Sequence, residues 1–192
     1  MDLLPFALPS AGPRRPVMRP MNAALGASST DEPISPFVVR RRVEFRDTDA
    51  AGIAHFSTFF VWMESAEHEL LRHAGVPLVE VVTEPMPGAA GKDDEPPGTY
   101  SWPRVSATCD YKSAVRFNDE LDIAVGLEAI GRSSVTWTFR FEQAGRWIAQ
   151  GRVVAVRCLL RPGLAPAAVP IPGSVQTRLE PYRIAARGAP EG

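Results

Sequence analysis

The sequence predicts an α+β fold in which a five-stranded antiparallel sheet curls around one long helix. Two observations carry this. One strand pattern, one amphipathic helix pattern and four further strand patterns follow each other along the chain, the later strands joined mostly by hairpin-length turns. The helix also carries an apolar stripe too wide to stand in solvent, so a sheet must cover it.

The first strand is read from PFVVRRRVEF, residues 36–45. Val39, Val43 and Phe45 fall on one face with Arg41 between them, and Arg40, Arg42 and Glu44 fall on the other. The helix follows in STFFVWMESAEHELLRHAG, where Phe59, Met63, Ala66, Leu70 and Ala74 recur at three- and four-residue spacing. Glu64, Glu67 and Glu69 are expected off that stripe, with Glu64–His68 and Glu69–His73 as i,i+4 pairs. Gly75 suits the position after a helix and Pro77 prevents continuation, so the end is expected near His73 or Ala74.

Residues 83–99 hold four prolines and three glycines and read as a loop, either a functional flap or an insertion. In SWPRVSATCDY, Val105, Ala107, Cys109 and Tyr111 share one face; in ELDIAVGLEAI, Leu121, Ile123, Val125 and Leu127 do. After the turn at Gly131-Arg132-Ser133, Val135, Trp137, Phe139 and Phe141 alternate with polar residues. A second turn at Gln143-Ala144-Gly145 leads into RWIAQGRVVAVRCLL, which Pro162 and Gly163 close. The expected organisation is a disordered N-terminal arm over residues 1–36, a folded domain over 37–165 and a surface tail over 166–192. The arm is proline-rich and lacks periodicity.

Composition sets further bounds. The 192 residues, 45% hydrophobic and 22% charged, suffice for one ordinary domain. A formal net charge of -1 offers no electrostatic case for nucleic acid or an anionic membrane, and no apolar run is long enough for a membrane span. The N-terminus does not read as a signal peptide, because Pro5 and Pro9 break its apolar stretch and Asp2 stands where a positive charge belongs. With only two cysteines, Cys109 and Cys158, a disulfide framework is not expected and a cytoplasmic protein is.

Few chemistries fit the remaining motifs. Asp47-Thr48-Asp49-Ala50-Ala51-Gly52 invites a calcium loop, but of the fifth, sixth and twelfth positions only the glycine matches, since Ala51 replaces an oxygen ligand and Thr58 the glutamate. His55, His68 and His73 lack the i,i+4 spacing of zinc-binding helices, so no metal is assigned. Neither a nucleophilic-serine elbow nor a phosphate-binding glycine loop occurs. Catalysis would therefore fall to a carboxylate, a histidine and backbone amides. A carboxylate at a strand-to-helix corner faces the free N–H groups of the first helical turn. It can cap them, or it can act beside them while they stabilise an oxyanion. Composition and spacing leave both open.

The extended stretch DTDAAGIAHFSTFFVWMESAEHELLRH resembles the hotdog-fold acyl-CoA thioesterases of the 4-hydroxybenzoyl-CoA thioesterase type, which include the enzymes encoded with the Tol–Pal envelope system. The later CDYKSAVRFNDEL and the GRSS turn resemble them too, and the similarity spans about residues 38–160. The resemblance implies that Asp49 is the catalytic carboxylate, attacking the thioester or activating water, and that the Phe56 backbone N–H polarises the thioester carbonyl. His55 would hydrogen-bond near the thioester or fill the pocket wall, and Asp47 would hold the corner. Arg132 and Ser134 align with the family's nucleotide-contacting turn, with Arg116 and Lys112 as further cations. Coenzyme A enters only as part of an acyl-CoA substrate, so no separate cofactor is expected. The family's edge-to-edge pairing implies a homodimer or homotetramer with sites built from two chains. Two other functions are compatible with these residues: a hotdog hydratase-dehydratase using His55 with Asp49, and a non-catalytic acyl-CoA-binding module.

Overall fold

The computed structural model of the protein describes residues 37–83 and 96–184, all within one unit. The arm at 1–36, most of the expected 83–99 loop and the last eight residues lie outside the described residues.

Strand β1 (Phe37–Arg42) precedes a 3-10 turn (Phe45–Asp47) and helix α1 (Thr58–His73). Short strands β2 (Glu80–Val82) and β3 (Gly98–Ser101) come next. The main strands follow: β4 (Arg104–Tyr111), β5 (Glu120–Ile130), β6 (Ser134–Gln143) and β7 (Arg146–Val156). The expected five-stranded sheet is present in the order β1-β5-β6-β7-β4, antiparallel throughout. This is the hotdog arrangement, with α1 laid across the sheet. Phe59, Met63, Ala66 and Leu70 join one core with Leu121, Ile123, Val125, Phe139 and Phe141, as their spacing predicts. At Gly151 of β7 the backbone packs directly against the Met63 thioether. The β6–β7 hairpin turns through Ala144 and Gly145, both at positive φ (46° and 80°), the two-residue geometry that matches strand twist.

Several expectations need correction. Phe45 is 79% exposed, because the strand ends at Arg42 and the backbone then turns out of register. Glu67 is only 1% exposed, since it lies four residues beyond Met63 and faces the underside of β4, where Arg104 meets its carboxylate at 3.1 Å. Glu64 does pair with His68, at 3.9 Å, whereas Glu69 reaches across to Arg41 of β1. Strand β4 does not bury the face assigned to it: Val105 is 63% and Tyr111 44% exposed, because β4 is the sheet edge. The residues after Pro162 are more than a surface tail. Ile171, just before helix α2 (Gly173–Leu179), and Leu179, its last residue, are buried in the main core.

The last predicted strand also divides. After Val156 the chain bends at the buried Arg157, and β8 (Cys158–Leu160) joins a second sheet, β2-β3-β8-β9, with β9 at Ala167–Ala168. Strands of two to four residues have too little pattern to announce themselves; pairing alone defines them. Near the C-terminus, Ile184 donates its N–H to the Leu127 carbonyl at 3.0 Å and covers the outer face of Gly126. The chain there occupies the edge of β5 beyond the start of β1.

Candidate active site

The strand-to-helix corner is held by backbone pairing before any side chain contributes. Val43 exchanges hydrogen bonds with the β4–β5 connection, donating to the Asp119 carbonyl at 2.8 Å and accepting from the Asn118 N–H at 2.9 Å. Thr48 and Ala54 then form a bridge that closes residues 49–53 into a small turn. Gly52 sits at φ +70°, a left-handed conformation that a side-chain-bearing residue adopts at a cost.

The two aspartates do different things. The Asp47 carboxylate accepts the Glu44 N–H at 2.8 Å and caps the 3-10 turn, while its carbonyl accepts the His55 N–H at 2.8 Å and the Thr58 hydroxyl at 3.2 Å. The exposed Asp49 carboxylate accepts the Ala51 N–H through Oδ1 at 2.8 Å, an Asx-type turn. Oδ2 of Asp49 has no hydrogen-bond partner among the described residues. One oxygen therefore orients the carboxylate and the other faces solvent.

The start of α1 is capped unusually. Ser57 does not cap with its own side chain; instead His55 Nδ1 lies 2.7 Å from Ser57 Oγ and accepts the Ser57 N–H at 3.3 Å. A backbone N–H can only donate, so the hydrogen-bond network assigns the proton of the neutral ring to Nε2. Among the described residues the Phe56 N–H has no acceptor, whereas the flanking His55, Ser57 and Thr58 N–H groups all have one. An open amide at a helix start is suited to receive developing negative charge.

Asp49, His55 and Phe56 thus share one corner, and Arg116 joins them. Arg116 bridges to Ile53 through its backbone, and its Nη1 lies 4.0 Å from where a Gly52 Cβ would stand. Arg132 and Ser134 do not join them within one chain. The corner pairs with the Glu120 end of β5, while Arg132 follows its Ile130 end. At about 3.3 Å per residue the two ends of this 11-residue strand stand roughly 33 Å apart. Arg132 does support the fold locally, its carbonyl accepting the Ile171 N–H at 2.8 Å.

Sequence reasoning missed several residues here. Tyr111, the last residue of β4, donates its hydroxyl to the Phe56 carbonyl at 3.0 Å; only the sheet register brings it there. Phe45 and Phe117 make an exposed edge-to-face pair, ring centroids 6.3 Å apart, beside the same corner. Further along α1, burial pushes the Glu67 carboxyl up, partly offset by Arg104, and burial together with Arg104 pushes His68 down. The Met63-to-Glu67 spacing was a signal for Glu67, overridden in the sequence by its charge. Burial also raises Cys109 to about 11 and Tyr111 to about 12, so both keep their protons at neutral pH. Among the described residues no three His, Cys, Asp or Glu side chains gather as a metal site would need. None of the described helices is long and apolar enough to cross a membrane.

A strand-to-helix corner of this kind, on a sheet wrapped around one helix, places the chain in the hotdog class of folds. The family model of the thioesterase-like superfamily matches residues 43–179, and the chain belongs to that superfamily of thioester hydrolases. A 1,4-dihydroxy-2-naphthoyl-CoA hydrolase of Prochlorococcus marinus is 28% identical over 110 residues, 57% of this chain and 69% of that one. A solved gentisyl-coenzyme A thioesterase is 28% identical with TM-score 0.57, covering 74% of this chain and 98% of its own. The 1,4-dihydroxy-2-naphthoyl-CoA thioesterase of Synechocystis shares the fold at TM-score 0.60 and 20% identity, over 74% of this chain and 94% of that one.

Proposed function

We propose that the protein hydrolyses an aroyl-CoA thioester, with Asp49 as the catalytic carboxylate and the Phe56 N–H as the oxyanion donor. The observation that carries this reading is the pairing of an open amide at a helix start with an exposed carboxylate, one oxygen free, on the adjoining turn. The superfamily supplies the reaction class. The names of the two relatives at 28% identity both specify an aromatic acyl group, which favours aroyl over long aliphatic substrates. Neither name points to the Tol–Pal branch, and the 4-hydroxybenzoyl-CoA thioesterase type is the finer placement retained.

In this reading the thioester carbonyl oxygen approaches the Phe56 N–H. Water, deprotonated by Asp49, adds to the carbonyl carbon, and negative charge moves onto that oxygen. The amide strengthens its hold as the charge develops, which lowers the barrier and leaves substrate binding little changed. Collapse of the tetrahedral species breaks the C–S bond; the thiolate takes a proton, and the acid and coenzyme A leave. Direct attack by Asp49 would give a mixed anhydride that water then opens, with the same overall balance. The Nε2–H of His55 is a second donor at this corner, which suits the polarising role better than a base.

The hydratase-dehydratase reading needs His55 paired with a carboxylate. Among the described residues its Nδ1 is instead engaged by Ser57 and no ion pair joins it to an acid. The CoA phosphates are assigned to Arg132 and Ser134 of a second chain, since those residues lie too far from Asp49 in the same one, with Arg116 near the corner itself. The exposed edge of β4 is the surface on which that second chain would pair, as a homodimer or within a homotetramer. A CoA-dependent enzyme with two free thiols fits the cytoplasm.

The test is thiol release from a panel of aroyl- and acyl-CoAs by wild type and Asp49→Asn. The substitution should lower kcat by roughly 10²- to 10⁴-fold with the fold intact. Hydrolysis that survives it removes Asp49 from the mechanism. Retained CoA binding without any hydrolysis by wild type would favour a binding module.

A further inference from the structure

We propose that Tyr111 is a positioning residue for the Phe56 amide, clamping the helix start from the sheet so that this N–H stays aimed at the substrate. The inference rests on the oxyanion role proposed above and adds to it the element that sets the donor's direction.

The geometry is that of a peptide unit held at both ends. The unit joining Phe56 to Ser57 has two polar groups. Its carbonyl accepts the Tyr111 hydroxyl at 3.0 Å, and its N–H donates to His55 Nδ1 at 3.3 Å. The preceding unit, which joins His55 to Phe56, is held only at its carbonyl, by the Thr58 N–H at 3.0 Å. Its own N–H is the open donor. Two linked planes with three of four polar groups tied have little freedom left, and the fourth group points where the other three require.

Tyr111 is suited to anchor this because its own ring is tied to the core. It packs edge-on against Phe59 with centroids 5.1 Å apart, and Phe59 packs in the same manner on Phe141 at 5.2 Å and on Trp62 at 5.1 Å. Phe59 and Phe141 are buried. The hydroxyl position is thereby referred to the sheet, through β4 pairing with β7, and not to the helix itself. His55 and Asp47, by contrast, belong to the corner itself. Because the phenol keeps its proton over the working range, the clamp does not loosen with pH.

The test is Tyr111→Phe, which removes one hydroxyl and keeps the ring on Phe59. Thermal stability should change little, KM should stay within about twofold, and kcat should fall on the order of tenfold, because the interaction lost matters only when charge develops. The pH profile should keep its shape. A companion variant, Phe56→Pro, deletes the donor itself just ahead of the N-cap Ser57, where the N–H has no acceptor among the described residues and no hydrogen bond is lost. Once that donor is gone, adding Tyr111→Phe should change kcat no further. A Tyr111→Phe enzyme with full kcat, or a loss that multiplies onto Phe56→Pro, overturns the positioning role alone. Full kcat in Phe56→Pro overturns the oxyanion assignment, and the positioning role with it. If Phe56→Pro does not fold, the amide is read directly by NMR. The order parameter of the Phe56 N–H should drop in Tyr111→Phe from about 0.85 toward 0.6, while those of the helix interior do not; an unchanged value refutes the clamp.

Discussion

Gly151 tests how helix α1 is seated. It lies in the middle of β7, between Cys109 of β4 and Phe139 of β6, directly beneath Met63. A Cβ added there would fall inside the contact radius of Met63 Sδ, with Cε at 3.3 Å and Cγ at 3.4 Å. The sulfur is in mid-chain and Met63 is fully buried, so the side chain has no open space to swing into. Gly151→Ala should therefore behave as overpacking and cost about 1–3 kcal/mol. For a domain of this size that lowers Tm by roughly 2–4 °C per kcal/mol. Met63→Ala alone leaves a cavity and should cost about 2–5 kcal/mol. In the double variant the new methyl meets space instead of sulfur. The combined loss should fall short of the sum by about 1–3 kcal/mol, the whole overpacking penalty. Urea denaturation of the four proteins measures the cycle. A Gly151→Ala protein within 0.5 kcal/mol of wild type, or strict additivity, would refute direct seating of α1 on β7. Since α1 also carries the corner at its start, Gly151→Ala should lower kcat as well.

Two further expectations concern the helix interior and the turn. The folded-state pKa of Glu67 lies above its unfolded value near 4.5, so this group favours folding below that pH and the contribution is lost as pH rises through the folded pKa. Glu67→Gln does not titrate and Arg104 keeps Glu64 at 3.6 Å, so the variant's stability relative to wild type should improve from pH 4.5 to 8. Urea melts at the two pH values decide, and a change of opposite sign would mean that the Arg104 pair outweighs burial. Gly52→Ala should cost about 1–2 kcal/mol from its φ of +70° alone, since the nearest atom to the new methyl is Arg116 Nη1 at 4.0 Å. A drop in Tm with activity lost in parallel is expected, because this turn carries Asp49; an unchanged Tm would place the turn's rigidity elsewhere.

The corner could be read from the sequence because it is local. Asp47, Asp49, Gly52, His55 and Phe56 lie within ten residues, where strand alternation stops and helical spacing begins. Turn chemistry there depends on neighbours in the chain: an Asx turn at Asp49, a cap at Asp47, a left-handed glycine. The local pattern left cap or catalyst open, and in the fold the two carboxylates hold two different hydrogen-bond sets. Glu67 shows the converse. Expected off the buried stripe, it is nevertheless buried, and the arginine that permits its burial comes from 37 residues away.

Order of the long elements, hairpin turns, the inward faces of β5 and β6 and the helical stripe were all determined by the sequence itself. Each follows from periodicity, and periodicity is a property of neighbouring residues. Tertiary structure alone decided which strand became the edge, and hence that β4 would be exposed. It decided that the tail would return Ile171 and Leu179 to the core, and that Tyr111 would reach the Phe56 carbonyl 55 residues away. It also set Arg132 at the far end of the sheet from Asp49. These outcomes depend on register and on which surfaces meet, and contacts between distant segments leave no trace in the spacing of either one.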